Sequence, residues 1–238
     1  MVQLAAITNA AGSFEIREKV ERENYRATER VAQACLQTGT ALINISSTSV
    51  YGTQKDIVDE DCSEEDLQPQ SPYAETKLRE ERLLAQLGGS AGLRFITLRF
   101  GTIFGVSPGM RFHTAINKFC WQAVNRLPIT VWRTALHQVR PYLDLEDAVS
   151  AIDFVIRSDL YDQRIYNVLT LNATVNQVID TIRGHVPDIA IEYVDARIMN
   201  QLSYHVSSQR FRDRGFEFHG DLERGVADTI SLLSVVYA

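Results

Sequence analysis

Apolar and polar residues along this chain follow two alternating rhythms. Short apolar blocks predict buried strands: M-V-Q-L-A-A-I at 1–7, A-L-I-N-I-S-S at 41–47, L-R-F-I-T-L-R-F at 93–100, P-I-T-V-W at 128–132, I-Y-N-V-L at 165–169 and I-A-I-E-Y-V-D at 189–195. Between them run stretches with helical spacing. One covers about 13–38, with Gly39 as its stop, and another 72–87, with Pro72 in its first turn and Gly88-Gly89 at its end. Further helices are predicted at 110–126, at 146–156, between the last two strands, and at 221–235. G-T-I-F-G after the third block reads as a loop, and the acidic run 56–66 as solvated surface. Strands alternating with helices predict an α/β domain with a mostly parallel sheet. In such sheets chemistry gathers at the carboxyl ends of the strands, where Ser46-Ser47 and Gly101-Thr102 fall. Beyond about residue 107 the strands shorten, which divides the chain into a parallel-sheet part, 1–106, and a smaller, partly interleaved lobe, 107–238.

Composition narrows the function classes. The chain has 238 residues, 45% hydrophobic and 23% charged, as in a folded domain with a sizeable core. A net charge of -6 argues against nucleic acid as a partner, so an anionic ligand needs a local arginine. Cys35, Cys62 and Cys120 lie far apart without C-x-x-C spacing. This excludes a zinc ribbon, predicts no metal site, argues against a disulfide framework and points to a reducing cytoplasm. No apolar run reaches membrane-spanning length, and the N-terminus has no signal-peptide pattern.

The stretch S-P-Y-A-E-T-K at 71–77 puts Tyr73 and Lys77 on one face of a helix start. A tyrosine with its ordinary pKa of about 10 is a poor base at neutral pH. An ammonium within about 4–6 Å favours the phenolate and lowers that value. A hydroxyl such as that of Ser47, at a strand end, can bind the oxygen that exchanges the proton. Together these groups suit removal of a proton from a secondary alcohol.

The ordered set I-S-S-T-S-V-Y-G (45–52), S-P-Y-A-E-T-K, L-R-F-G-T-I-F-G (98–105) and R-P-Y-L-D-L-E-D-A (140–148) resembles the extended short-chain dehydrogenases/reductases. Within them it looks like the NAD-dependent epimerase/dehydratase group acting on nucleotide sugars. The likeness extends through I-Y-N-V (165–168) and S-Y-H-V-S-S-Q-R-F-R-D-R-G-F (203–216). It implies a Rossmann-like cofactor and catalytic domain followed by a substrate-binding lobe, with NAD or NADP as cofactor. It implies Tyr73 as acid and base, Lys77 lowering its pKa and contacting the nicotinamide ribose, and Ser47 holding the reacting hydroxyl. Leu4, Ala5, Ala6 and Asn24 are placed on the cofactor side. Thr48, Thr102, Asn117 and Arg140 are placed on the substrate side, with Arg140 on the diphosphate; an ion pair with Asp144 or Glu146 is its alternative. Asp147 is expected to order a loop, Trp121, Phe112 and Phe119 to pack, and Trp132-Arg133 to border the nucleotide. A homodimer through the two long helices is implied as well.

Three departures refine this. The dehydratase branch carries Asp and Glu where this chain has Thr48 and Ser49, so 4,6-dehydration is not expected. What remains is oxidation or reduction at one sugar carbon, by a 4-epimerase or a 4-ketoreductase. Thr102 replaces the family's usual asparagine. No G-x-G-x-x-G turn precedes the first motif, so two readings stay open: an enzyme represented without its pyrophosphate cradle, or a non-catalytic scaffold that keeps the fold.

Overall fold

The computed structural model describes residues 1–10, 12–52, 56–195 and 203–236. In chain order it contains strand β1 (Val2–Gln3), helix α1 (Arg17–Val20), a π-helical turn (Glu21–Tyr25), α2 (Arg26–Thr38), β2 (Leu42–Ser47), β3 (Ile57–Val58), α3 (Pro72–Ala91), β4 (Phe95–Phe100) and β5 (Thr102–Phe104). Then follow α4 (Ala115–Val124), β6 (Ile129–Trp132), β7 (Val139–Asp144), α5 (Leu145–Arg157), β8 (Ile165–Val168), β9 (Leu171–Thr174), α6 (Val175–His185), β10 (Ile191–Val194), β11 (His205–Val206), α7 (Gln209–Arg212) and α8 (Leu222–Val236).

A four-stranded parallel sheet, in the order β1-β2-β4-β8, forms the first layer system. All six residues of β4 are buried, as a strand covered on both faces requires. Side-chain alternation sends Leu42 and Phe95 to one face, where Ala32 and Cys35 of α2 and Leu84 of α3 meet them. Ile43, Ile96 and Leu98 point the other way, against Ala148, Ala151 and Val155 of α5 and Phe211 of α7. Each large aliphatic side chain buried in this way contributes about 1.5–3 kcal/mol.

A second core joins the sheet β5-β7-β9 and the pair β6-β10 to α4, α6 and α8. Strand β8 and helix α5 return to the first sheet while β9 and α6 lie in the second core, so the chain passes back and forth between the two.

Several boundaries differ from the sequence expectation, each for a local reason. The first strand ends at Gln3, and in the loop beyond it the side-chain amide of Asn24 takes both backbone groups of Ile7, at 2.8 and 3.0 Å. The first long helix is broken by the π-helical turn that carries Asn24, and stops at Gly39, φ 67°. Helix α3 runs through Gly88-Gly89 to a stop at Gly92, φ 72°. Gly88 serves packing: a Cβ there falls 2.8 Å from the Phe95 ring. Residues 102–104 form a strand rather than a loop, and α4 starts only at Ala115. The acidic run is not all solvated. Asp66 is buried and accepts from the backbone and hydroxyl of Ser63, and Glu60 accepts from Asn167 N at 2.6 Å.

Candidate active site

Ser47 is the last residue of β2, in extended conformation (φ −145°), and caps the 3-10 turn that follows. Its Oγ accepts from Ser49 N at 3.2 Å and from Ser49 Oγ at 2.9 Å. With both lone pairs engaged, its own proton is the donor it presents. That hydroxyl faces the phenol of Tyr73 and pulls its pKa down.

Helix α3 delivers the phenol. The Ser71 hydroxyl accepts from Ala74 N at 3.2 Å as its N-cap, and Pro72 opens the first turn. Tyr73 and Lys77 then stand one turn apart. Lys77 is buried, and its Nζ donates to Ile45 O at 2.9 Å and to Glu80 Oε2 at 3.0 Å. It lies 6.0 Å from the centre of the Tyr73 ring. The expected lowering of the Tyr73 pKa by Lys77 does not appear. Burial first, and the Glu80 carboxylate second, push the phenol above its ordinary value, against weaker pulls from Ser47 and Arg111. Burial accounts for most of this reversal, and Glu80, which also pairs with Lys77, adds to it.

The residues assigned to the cofactor side fall in two groups. Leu4, Ala5 and Ala6 leave the carboxyl end of β1, with Leu4 64% exposed. Asn24 is buried and holds Ile7 by its backbone, so it shapes this loop from behind. On the substrate side, Thr48 is buried and donates to Phe100 O at 3.3 Å. Asn117 is buried and accepts from Gly105 N at 3.2 Å. Thr102 is half-buried on β5, and His113 is exposed ahead of α4. Arg140 is half-buried on β7; its guanidinium donates to Gln138 Oε1 at 2.6 Å and Val139 O at 3.0 Å. Burial pushes its pKa down. The suggested ion-pair partners are engaged elsewhere: Asp144 caps α5, and Glu146 faces Arg224 at 3.6 Å. Asp147 orders a loop, accepting from His219 N, Gly220 N and the Thr170 hydroxyl. Arg133 lies over the Tyr193 ring beside exposed Trp132, and Phe119 is in the second core.

Sequence reasoning missed four charged residues around this cluster. Glu80 pairs with Lys77; Glu81 forms a buried, two-pronged pair with Arg99 (2.9 and 2.6 Å) and accepts from the Ser46 hydroxyl. Arg111 reaches across to the Thr8 hydroxyl. The signal for the two glutamates was present in Y-A-E-T-K-L-R-E-E, since positions three and four after Lys77 share its helix face. Nothing local marks Arg99 or Arg111.

Residues 1–168 match the NAD dependent epimerase/dehydratase family. The chain belongs to that family. The trifunctional UDP-glucose 4,6-dehydratase/UDP-4-keto-6-deoxy-D-glucose 3,5-epimerase/UDP-4-keto-L-rhamnose-reductase of Arabidopsis thaliana is 29% identical over 237 residues, 97% of this chain and 35% of that protein. The chain thus spans about a third of the length of the plant relatives it matches. An uncharacterized UDP-glucose epimerase of Bacillus subtilis is 33% identical over 136 residues, 56% of this chain and 40% of its own. Among solved structures, MoeE5 in complex with UDP-glucose and NAD superposes with a TM-score of 0.86 at 26% identity, covering 100% of this chain and 79% of that one. The UDP-glucose 4-epimerase of Thermus thermophilus, complexed with NAD, gives 0.82 at 22% identity, covering 98% and 76%. The Rossmann-like α/β fold of an NAD-dependent family of epimerases and dehydratases is therefore established. Among the described residues no helix is long and apolar enough to cross a membrane.

Proposed function

We propose that this chain carries the catalytic apparatus of an NAD-dependent nucleotide-sugar 4-epimerase or 4-ketoreductase. The observation that carries the reading is the Ser47–Tyr73 hydroxyl pair beside Lys77 at the carboxyl end of a parallel strand. Ser47 orients the reacting sugar oxygen, and Tyr73 Oη exchanges a proton with it. When bound, NAD supplies the hydride acceptor or donor at the same carbon.

The residues present fit the nicotinamide half of that cofactor. An ammonium has three N–H donors; Ile45 and Glu80 take two from Lys77, which leaves one for a ribose hydroxyl. Leu4, Ala5 and Ala6 offer an apolar strand end for the ring, on a loop that Asn24 holds. On the substrate side the Arg140 fork suits a diphosphate, Thr102 faces the sugar, and Thr48 and Asn117 set the walls by fixing Phe100 and Gly105. Elimination is not part of the reading. Thr48 and Ser49 offer only hydroxyls, already donated to Phe100 O and Ser47 Oγ, where dehydration needs carboxyl groups. A homodimer formed through α2, α3 and the segment leading into them completes the proposal.

The test is interconversion of UDP-sugars with NAD, or reduction of UDP-4-keto sugars with NADH. Tyr73→Phe is expected to lower turnover by about 10²–10⁴-fold while the fold is kept. Unchanged turnover overturns the assignment.

A further inference from the structure

Beside the proposed proton-transfer pair lies a buried acid that the reaction itself does not use. Glu80 sits on α3 one turn beyond Lys77, on the helix face that also carries Tyr73. Its side chain is fully buried. Oε2 accepts from Lys77 Nζ at 3.0 Å, and Oε1 has no hydrogen-bond partner among the described residues. A carboxylate so placed is held in its charged form mainly by the single ammonium beside it.

The groups facing this acid come from every neighbouring element. Lys77 and Glu81 lie on α3 itself, and Glu81 is committed to Arg99 of β4. Arg99 in turn stacks on the Tyr51 ring, 4.9 Å away. Thr28 of α2 lies beside Glu80, whose carboxyl burial pushes up and Lys77 pulls back down. From β2 come the Ile45 carbonyl and the hydroxyls of Ser46 and Ser47. Arg111, which reaches Thr8, is the cation on the open side of Tyr73. Lys77 is consequently anchored from below by a carbonyl and a carboxylate, and the paired negative charge is sensed by the same phenol as the positive one.

We propose that Glu80 is a positioning residue that clamps Lys77 against Ile45 and offsets its charge, so that Tyr73 rests as a neutral phenol, the form that delivers a proton to a sugar keto oxygen. The idea that this proton goes to a sugar rests on the function proposed above; the clamp itself does not. Burial and Glu80 together raise the phenol, in agreement with the geometry.

The experiment titrates Tyr73 without cofactor or substrate, so its outcome is independent of the turnover test. The chain is labelled with difluorotyrosine, whose phenol is more acidic and titrates while the protein stays folded. Fluorine NMR then follows each tyrosine with pH; Tyr73→Phe assigns the resonance, and Tyr51 serves as the internal control. Glu80→Gln is expected to move the Tyr73 transition down by about one pH unit or more, with Tyr51 unmoved. A transition at the wild-type pH overturns the proposal. In the double variant Lys77→Met, Glu80→Met an apolar pair replaces the buried ion pair, a change proteins often tolerate. There Tyr73 is expected to titrate at or below the wild-type pH. A transition above it shows that Lys77 acts with its charge uncancelled, and overturns the proposal even where Glu80→Gln fails to fold.

Discussion

Partners decide what each side chain at the strand ends can do. Ser47 accepts twice from Ser49 and so is left as a donor toward Tyr73. Burial and Glu80 raise the Tyr73 phenol above its ordinary value, as the proposed acid role requires. The cysteines obey the same logic. Burial pushes the Cys120 thiol up to about 12 and raises Cys35, whereas Cys62 is half-buried. Since the thiolate is the nucleophile, iodoacetamide at neutral pH is expected to modify Cys62 well ahead of the other two, as read by peptide mass mapping. Comparable labelling of Cys120 would contradict the core that encloses it. Ser47, Tyr73 and Lys77 stood out in the sequence as candidates because their types and spacing suit proton transfer. The balance of charge on Lys77 was not, because a glutamate three residues on can as easily face solvent.

Helix α3 shows what was readable in an element. Ser71-Pro72 announced its start, because a hydroxyl cap and a proline suit the donors and backbone angle of a first turn. Its end was misjudged, because Gly88, one of the two glycines that read as a stop, is needed for contact with Phe95 and Gln163. The same helix is tied to the sheet by Glu81–Arg99, with both side chains almost fully buried. Burial works against the arginine's charge, and the glutamate more than restores it. Arg99→Met strands the Glu81 charge in the core and is expected to cost about 3–5 kcal/mol in urea unfolding. Adding Glu81→Leu is expected to recover most of that loss. No recovery in the double variant would mean that the pair does more than neutralise itself.

In the molecule as a whole, two cores share one chain, and the site lies where the first sheet ends and Arg111 crosses from the second part to Thr8. The proposed homodimer would form on the outer side of the first sheet's helices. Phe14 and Ile16 are exposed there, beside the Arg17–Glu75 and Arg79–Glu21 pairs that join the first helical segment to α3. If the proposed homodimer forms, light scattering gives twice the chain mass, and a Phe14→Glu, Ile16→Glu variant gives the monomer with its circular dichroism unchanged. A monomer in the wild-type chain removes dimerisation from the proposal.

The alternation of strands and helices, the parallel sheet and the candidates for proton transfer followed from the sequence, since periodicity and short-range spacing encode them within a few residues. The chain's membership in an NAD-dependent family followed too, from four motifs in order. Long-range approach decided the rest. Asn24 reaches Ile7 and holds the loop after the first strand, Phe95 presses on Gly88 within a helix, and burial first, with Glu80 second, raises Tyr73 where a lowering was expected. Each outcome depends on which groups share a low-dielectric interior, and that is settled only when distant segments pack together.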